Sequence, residues 1–170
     1  MRLSSFYKSL TAANLQGIGQ QNMSVDMKMP ILIVDDYKTM LRIVRGLLKR
    51  IGFENVDEAA GGTEAFNKMK EKKYGLVISD WNMEPVTGLD LLKQVRGDSS
   101  TKDTPFIMMT AASTAENVIA TKDAGVSNYI VKPFNTEMLK QELMAVLGNF
   151  WELAPEKCRL SKPPTPSWNA

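Results

Sequence analysis

Asp35, Asp36, Asp80, Thr110 and Lys132 each close an apolar run of this chain. Leu76-Val77-Ile78-Ser79 delivers Asp80, and Pro30-Ile31-Leu32-Ile33-Val34 delivers Asp35 and Asp36. Phe106-Ile107-Met108-Met109 delivers Thr110, and Tyr129-Ile130-Val131 delivers Lys132-Pro133. If the runs are neighbouring parallel strands, three carboxylates, one hydroxyl and one ammonium converge at one sheet edge. That edge is where open α/β sheets bind ligands. Crowded carboxylates repel one another, so they take up protons or gather around a cation. Mg²⁺ suits them: it takes one or two carboxylates, keeps waters and leaves a position for a phosphate oxygen. Lys132, while charged, is no metal ligand, but it can meet an incoming phosphoryl group. The chemistry this implies is transfer of a phosphoryl group to one of these carboxylates, forming an aspartyl phosphate. Catalysis would consist mostly of positioning and charge neutralisation.

The intervening segments are built to hold such strands. Met40, Ile43, Val44, Leu47, Leu48 and Ile51 recur at helical spacing and predict a core-facing first helix, stopped by Gly52. Asn55–Ala59 reads as a short polar edge strand. Gly61-Gly62-Thr63 opens a second helix with Ala65, Phe66 and Met69 inward, fraying in the basic run Lys68 to Lys73. Gly88 starts a third helix with Leu89, Leu92 and Val95 inward. Ser113-Thr114-Ala115-Glu116 reads as a capping box for a fourth, whose apolar side is Val118 and Ile119. Asn135 caps a fifth, carrying Met138, Leu139, Leu143, Val146 and Leu147. Strand and helix therefore alternate five times, which predicts an α/β fold with a parallel sheet covered on both faces. Right-handed crossovers with one reversal of winding make it doubly wound, with strand order 2-1-3-4-5 and a crevice between strands 1 and 3.

Composition narrows the possibilities. A chain of 170 residues, 44% hydrophobic, suits one domain with its own core. The expected division is a flexible leader over 1–29, the folded domain over 30–148 and a Pro-rich flexible tail over 149–170. Net charge is +2, yet residues 30–148 sum to −1, so the core offers nucleic acid no basic stripe. The chain has no histidine, which excludes imidazole metal ligands, Ser-His and Cys-His catalysis, and a phosphohistidine of its own. Cys158 is the one cysteine and can form no internal disulfide. No run approaches the roughly 18 apolar residues of a membrane span. A cytoplasmic, soluble monomer is expected.

Ile33-Val34-Asp35-Asp36, Val77-Ile78-Ser79-Asp80-Trp81-Asn82-Met83, Met109-Thr110-Ala111 and Tyr129-Ile130-Val131-Lys132-Pro133-Phe134 resemble the receiver domains of two-component response regulators, most of all the CheY-like chemotaxis members. The likeness spans residues 30–148 in order and spacing. It implies the flavodoxin-like, CheY-like fold, for which the 2-1-3-4-5 order is known. It also implies Asp80 as phosphoacceptor, with Mg²⁺ held by Asp35, Asp36, Asp80 and the backbone carbonyl of Asn82. Lys132 would pair with the phosphoryl group, and its bond to Pro133 would be cis. Thr110 would hydrogen-bond the phosphoryl oxygen, and Tyr129 would swing in behind it as the switch. A histidine kinase of the CheA kind would be the phosphodonor. An output partner, such as the flagellar motor switch, would read the face of helix 4, strand 5 and helix 5. Glu84 before Pro85, and Ala112, depart from the usual receiver pattern along the access route.

Taken singly, Asp35-Asp36 could be helix caps, Asp80 a turn acid and Lys132 a surface lysine. Their joint placement at strand ends is what argues otherwise. An Mg²⁺-dependent phosphatase of the haloacid-dehalogenase type also uses an aspartyl phosphate. It wants a second acid two residues on, where Asn82 stands. A flavodoxin-like cofactor carrier needs a Ser/Thr-rich phosphate loop where Asp35-Asp36 would repel the phosphate. A phosphate sink or phosphorelay receiver shares every residue with a direct switch. The 22 residues after Gly148 are too few for a second core, so output is expected from the domain's own surface.

Overall fold

The computed structural model describes residues 26–111 and 115–148. The leader up to residue 25, Ala112 with the capping residues Ser113 and Thr114, and the tail from residue 149 lie outside the described residues. The elements run β1 (Ile31–Val34), α1 (Lys38–Ile51), β2 (Val56–Ala59), α2 (Gly62–Glu71), β3 (Leu76–Asp80), α3 (Gly88–Gly97), β4 (Phe106–Thr110), α4 (Ala115–Asp123), β5 (Asn128–Val131) and α5 (Thr136–Leu147). All neighbouring strands are parallel, in the order β2-β1-β3-β4-β5. The α/β, doubly wound reading is borne out.

Period-two alternation splits the interior into two cores. Ile31, Ile33, Leu76, Ile78, Ile107, Met109 and Ile130 pack with Leu41, Val44, Leu48 and Ile51 of α1 and Leu139 and Leu143 of α5. Leu32, Val34, Val77, Phe106 and Met108 turn the other way, onto Ala65 and Met69 of α2 and Leu91, Leu92 and Val95 of α3. β1, β3 and β4 are buried along their whole length, as strands covered on both faces must be. β2 is the edge, and two cations cover its outer carbonyls. Arg45 Nη2 donates to Val56 O at 2.8 Å and Lys68 Nζ to Glu58 O at 2.5 Å.

Several helix faces differ from expectation. On α1 the buried set is Leu41, Val44, Leu48 and Ile51, while Ile43 is 48% exposed. A six-residue apolar stripe covers a wider arc than the sheet can touch, and Ile43 falls on its outer margin. On α3 Leu91 is buried and Leu89 only half-buried. Ile119 of α4 and Met138 of α5 are exposed. α3 begins with an unexpected capping box: Asp90 N donates to Thr87 Oγ1 at 3.1 Å and Thr87 N to Asp90 Oδ2 at 3.2 Å. The Asn135 cap is present, its Oδ1 accepting from Met138 N at 2.9 Å. Packing also begins before residue 30: Met27 and Met29 lie against the α1/α5 core, and Lys28 O accepts from Asn55 Nδ2 at 3.0 Å. Among the described residues, no helix is long and apolar enough to cross a membrane.

Gly52 ends α1 in the left-handed region at φ 119, its N–H bonded back to Leu48 O and Lys49 O. Gly88 matters for a different reason. Its N–H donates to Trp81 O at 3.0 Å, folding the loop after β3 onto the end of that strand, and a Cβ there would sit 2.1 Å from Asp80 O. That contact is with backbone and cannot be relieved by a rotamer. Gly88→Ala should therefore lower stability by about 2 kcal/mol or more. Gly46→Ala, in the middle of α1 with nothing within 4 Å, should raise it by up to about 1 kcal/mol. Urea unfolding of the two variants checks this, and a shift of the same sign in both would refute the close-approach reading.

Candidate functional site

Register sets the height of each functional group. Val34 pairs with Ser79, Asp80 with Met109, and Met109 with Ile130. Asp35 and Asp80 thus stand level, side by side across β1 and β3. Asp35, Asp80 and Lys132 lie at even intervals from Ile33, Ile78 and Ile130, so all three continue the face of the sheet that α1 and α5 cover. They meet in a cleft of about 360 Å³ whose lining includes Asp36 and Asn82.

Carboxylate oxygens of Asp35, Asp36 and Asp80 lie within 4.8 Å of one another. Asp35 is 1% exposed and Asp80 6%, while Asp36 opens to solvent. Lys132 Nζ lies 2.7 Å from Asp80 Oδ1 and 3.4 Å from Asp35 Oδ2. Asp35 Oδ1 also accepts from Tyr37 N at 2.8 Å, so this acid closes a turn before α1 and is not its N-cap. Burial pushes the Asp35 carboxyl above its ordinary range and the Asp80 charge adds to that, while the Tyr37 N–H and Lys132 pull the other way. The net result is upward.

The Lys132–Pro133 bond is cis, as the resemblance implies, and so is Glu84–Pro85. Thr110 and Tyr129 do not line the acidic cleft. They share a hollow on the α2/α3 side of the sheet with Trp81, Met108, Val118 and Thr121. That hollow has a volume of about 10 Å³, room for about one water. Sequence reasoning assigned Met40 and Ile43 to the core; Met40 does pack against it, while Ile43 is exposed, and both also line the acidic cleft with Tyr37 and Thr39. The signal available was Leu41, whose place on the inner face displaces Ile43 outward.

The parallel sheet thus brings a buried acid pair, an exposed third acid and a lysine together at one edge. Residues 31–144 match the response regulator receiver domain, and the chain belongs to that family. It is 47% identical over 121 residues to chemotaxis protein CheY1 of Helicobacter pylori, covering 71% of this chain and 98% of that one. It is 44% identical over 119 residues to chemotaxis protein CheY-3 of Vibrio cholerae, covering 70% and 92%. The solved structure of CheY4 from Vibrio cholerae superposes with a TM-score of 0.66 at 36% identity, covering 70% of this chain and 98% of that one. A receiver is a phosphoacceptor switch fed by a histidine kinase and not an enzyme acting on a separate substrate. The donor set fits Mg²⁺: three hard carboxylates, one of them exposed to admit waters, and no imidazole or thiolate among them.

The raised carboxyl of Asp35 has a consequence for stability. An acid held above its unfolded value of 3.8 favours the protonated folded state, so its contribution is full below that value and is lost as pH rises through the folded value. At neutral pH its ionised form opposes folding in the absence of a cation. Asp35→Asn should raise the urea midpoint in EDTA at pH 7, and the gain should shrink toward pH 4. An equal or lower midpoint at pH 7 would show that Lys132 already offsets the burial.

Proposed function

We propose that this chain is a cytoplasmic chemotaxis response regulator of the CheY kind, in which Asp80 accepts a phosphoryl group from a histidine kinase with Mg²⁺ bound. The observation that carries this is the Asp80–Lys132 contact at 2.7 Å inside the cleft that also holds Asp35 and Asp36. Identity of 44 to 47% to chemotaxis proteins supports the chemotactic assignment. Asp35, Asp36, Asp80 and the Asn82 carbonyl would hold the ion, which would supply positive charge toward the phosphoryl oxygens. An Asp80 carboxylate oxygen forms the new O–P bond as the bond to the donor nitrogen breaks, and the donor leaves with the electron pair. Lys132 starts on the carboxylate and ends on the phosphoryl group, so the positive charge stays within the cleft throughout.

Output is read on the face of α4, β5 and α5. Ile119 and Met138 are exposed on those helices, which supports an apolar partner surface there. Thr110 couples the site to that face. The hollow behind it is nearly full, so the Tyr129 ring can enter further only if Thr110 moves toward Asp80. A hydrogen bond from Thr110 to a charged phosphoryl oxygen is worth about 1.5 to 3 kcal/mol, roughly a 10-fold to 150-fold shift in population.

Incubation with acetyl phosphate and Mg²⁺ should add one phosphoryl group by intact mass, and Asp80→Asn or EDTA should abolish the gain. Full labelling of Asp80→Asn would overturn the acceptor assignment. With beryllofluoride as phosphoryl mimic, the Tyr129 ring signals in the NMR spectrum should move in the wild type and stay near their resting positions in Thr110→Ala. An undiminished shift in that variant would mean that the signal leaves Asp80 by another route.

A further inference from the structure

β2 is an edge of the sheet, with only β1 beside it. Ile31 N donates to Asn55 O and Asp35 N to Ala59 O, so the odd-numbered residues from Asn55 to Ala59 turn their backbone groups inward to β1. Val56 and Glu58 therefore turn theirs outward. A row of such groups is a template for another strand, yet most of this row is already engaged. Arg45 reaches over from α1, giving Nη2 to Val56 O at 2.8 Å and Nε to the Glu58 carboxylate at 2.9 Å. Lys68 reaches over from α2, on the opposite face of the sheet, giving Nζ to Glu58 O at 2.5 Å and to the Glu64 carboxylate at 2.8 Å. Glu64 in turn takes the Ala60 N–H at 2.9 Å, and the Val56 N–H goes to Glu54 O at 3.2 Å. Both ion pairs are a third to a half exposed, where such pairs add little to stability. Their effect lies in what they cover.

We propose that Arg45 and Lys68 form a clasp, closed over the sheet edge from its two faces, that keeps β2 of one copy of this chain from pairing with β2 of a second copy. The excluded pairing is antiparallel about a twofold axis at Asp57, with Val56 of one copy opposite Glu58 of the other. Each such pair exchanges two backbone bonds, four in all, and they use the N–H and C=O groups of Val56 and Glu58. The two carbonyls among these are the ones the clasp occupies. Asp57 does not itself bar the contact, because its carboxylate is already held by Lys72 Nζ at 2.8 Å and by the Tyr74 hydroxyl at 2.8 Å. A second copy is the strand donor because it carries the identical edge at the protein's own concentration, and a twofold contact closes at two copies. The clasp is independent of the acidic cleft, so its failure leaves the phosphoacceptor reading untouched.

The test opens the clasp in the full chain without leaving a bare acid at the edge, by combining Arg45→Ala and Lys68→Ala with Glu58→Gln. A control makes the same charge changes at exposed positions off the edge, Arg42→Ala and Lys70→Ala with Glu116→Gln. Neither set touches the core, since all six side chains lie outside it. Sedimentation is read over a dilution series up to about 1 mM, where even millimolar affinity registers. The open-clasp variant should double its apparent mass as concentration rises, while the wild type and the control stay monomeric. Amide exchange at position 58 should slow in step with that doubling, because its outward N–H gains a backbone acceptor. A monomer at every concentration would overturn the proposal. Equal association of the wild type would do so as well, and equal association of the control would trace the effect to net charge and overturn it. A dimer with unchanged exchange at position 58, or a mass that grows past two copies, would place the contact elsewhere and overturn it too.

Discussion

Side chains alternate across a strand, and in this sheet the alternation runs past the last strand residue into the loop beyond. Ile31 and Ile33 face α1 and α5, and Asp35 continues their side; Ile78 is followed by Asp80 and Ile130 by Lys132 on the same side. Phe106 and Met108 face the other way, and Thr110 continues theirs; Tyr129 packs on that same core. Asp35, Asp80 and Lys132 therefore collect on one face of the sheet, and Thr110 and Tyr129 on the other. A register slip of one residue in β3 would carry Asp80 to the wrong face and leave Asp35 without its neighbour. The fully buried apolar residues of β1, β3 and β4 fix that register far more firmly than the polar groups could, because each has a core on its own side to fill.

The acids are tolerable where they stand because Lys132 arrives from β5. Two nearly buried carboxylates side by side would repel each other, and the ammonium at 2.7 Å from Asp80 and 3.4 Å from Asp35 offsets much of that repulsion. Such a buried pair adds little to stability over an apolar replacement. On the proposed function its value would be poise: the lysine contacts both acids and would be able to transfer to a new anion. Asp36 opens to solvent at the mouth of the cleft.

How far this was legible in the sequence depended on the kind of signal. Strand ends were readable because an apolar run stopped by a charged or hydroxyl residue marks the point where a buried strand leaves the sheet; four of the strands carry that signal, and the polar edge strand β2 does not. Helix faces were read less well. The apolar residues of α1 span a wide arc, so periodicity alone could not say that Leu41 is inside and Ile43 outside. Leu89 and Leu91 pose the same ambiguity on α3, where Leu91 is the one buried. Lys140 is 1% exposed on α5, where pattern reasoning places a lysine in solvent. That residue's burial depends on what surrounds α5, which no local pattern encodes. The placement of Thr110 on a different face from Asp80 was available from parity alone, since it required only counting residues from Met108.

That separation of faces decides how a signal can cross. On the proposed function, Thr110 would have to reach around the end of β4 to touch a group on Asp80, and in doing so it would leave the hollow it shares with Tyr129 and Trp81. Trp81 is the next residue after Asp80, lies on the Tyr129 side, and its N–H bonds to Met109 O at 2.8 Å. The acceptor's own backbone is thus tied to β4 one residue short of Thr110. α4 is the element best placed to respond. Among its described side chains only Thr121 is buried, and that hydroxyl bonds to carbonyls of its own helix, Asn117 O at 3.0 Å and Val118 O at 2.9 Å. Its far end is held more firmly. Arg96 of α3 donates to Gly125 O at 2.8 Å, just beyond the helix, and to Lys102 O and Thr104 O at 2.8 and 2.7 Å. A helix pinned at its C-terminal end and lightly packed along its length pivots about that pin more readily than it translates. Movement would be greatest at the end nearest Thr110, where, on the proposed function, a change at Asp80 would arrive.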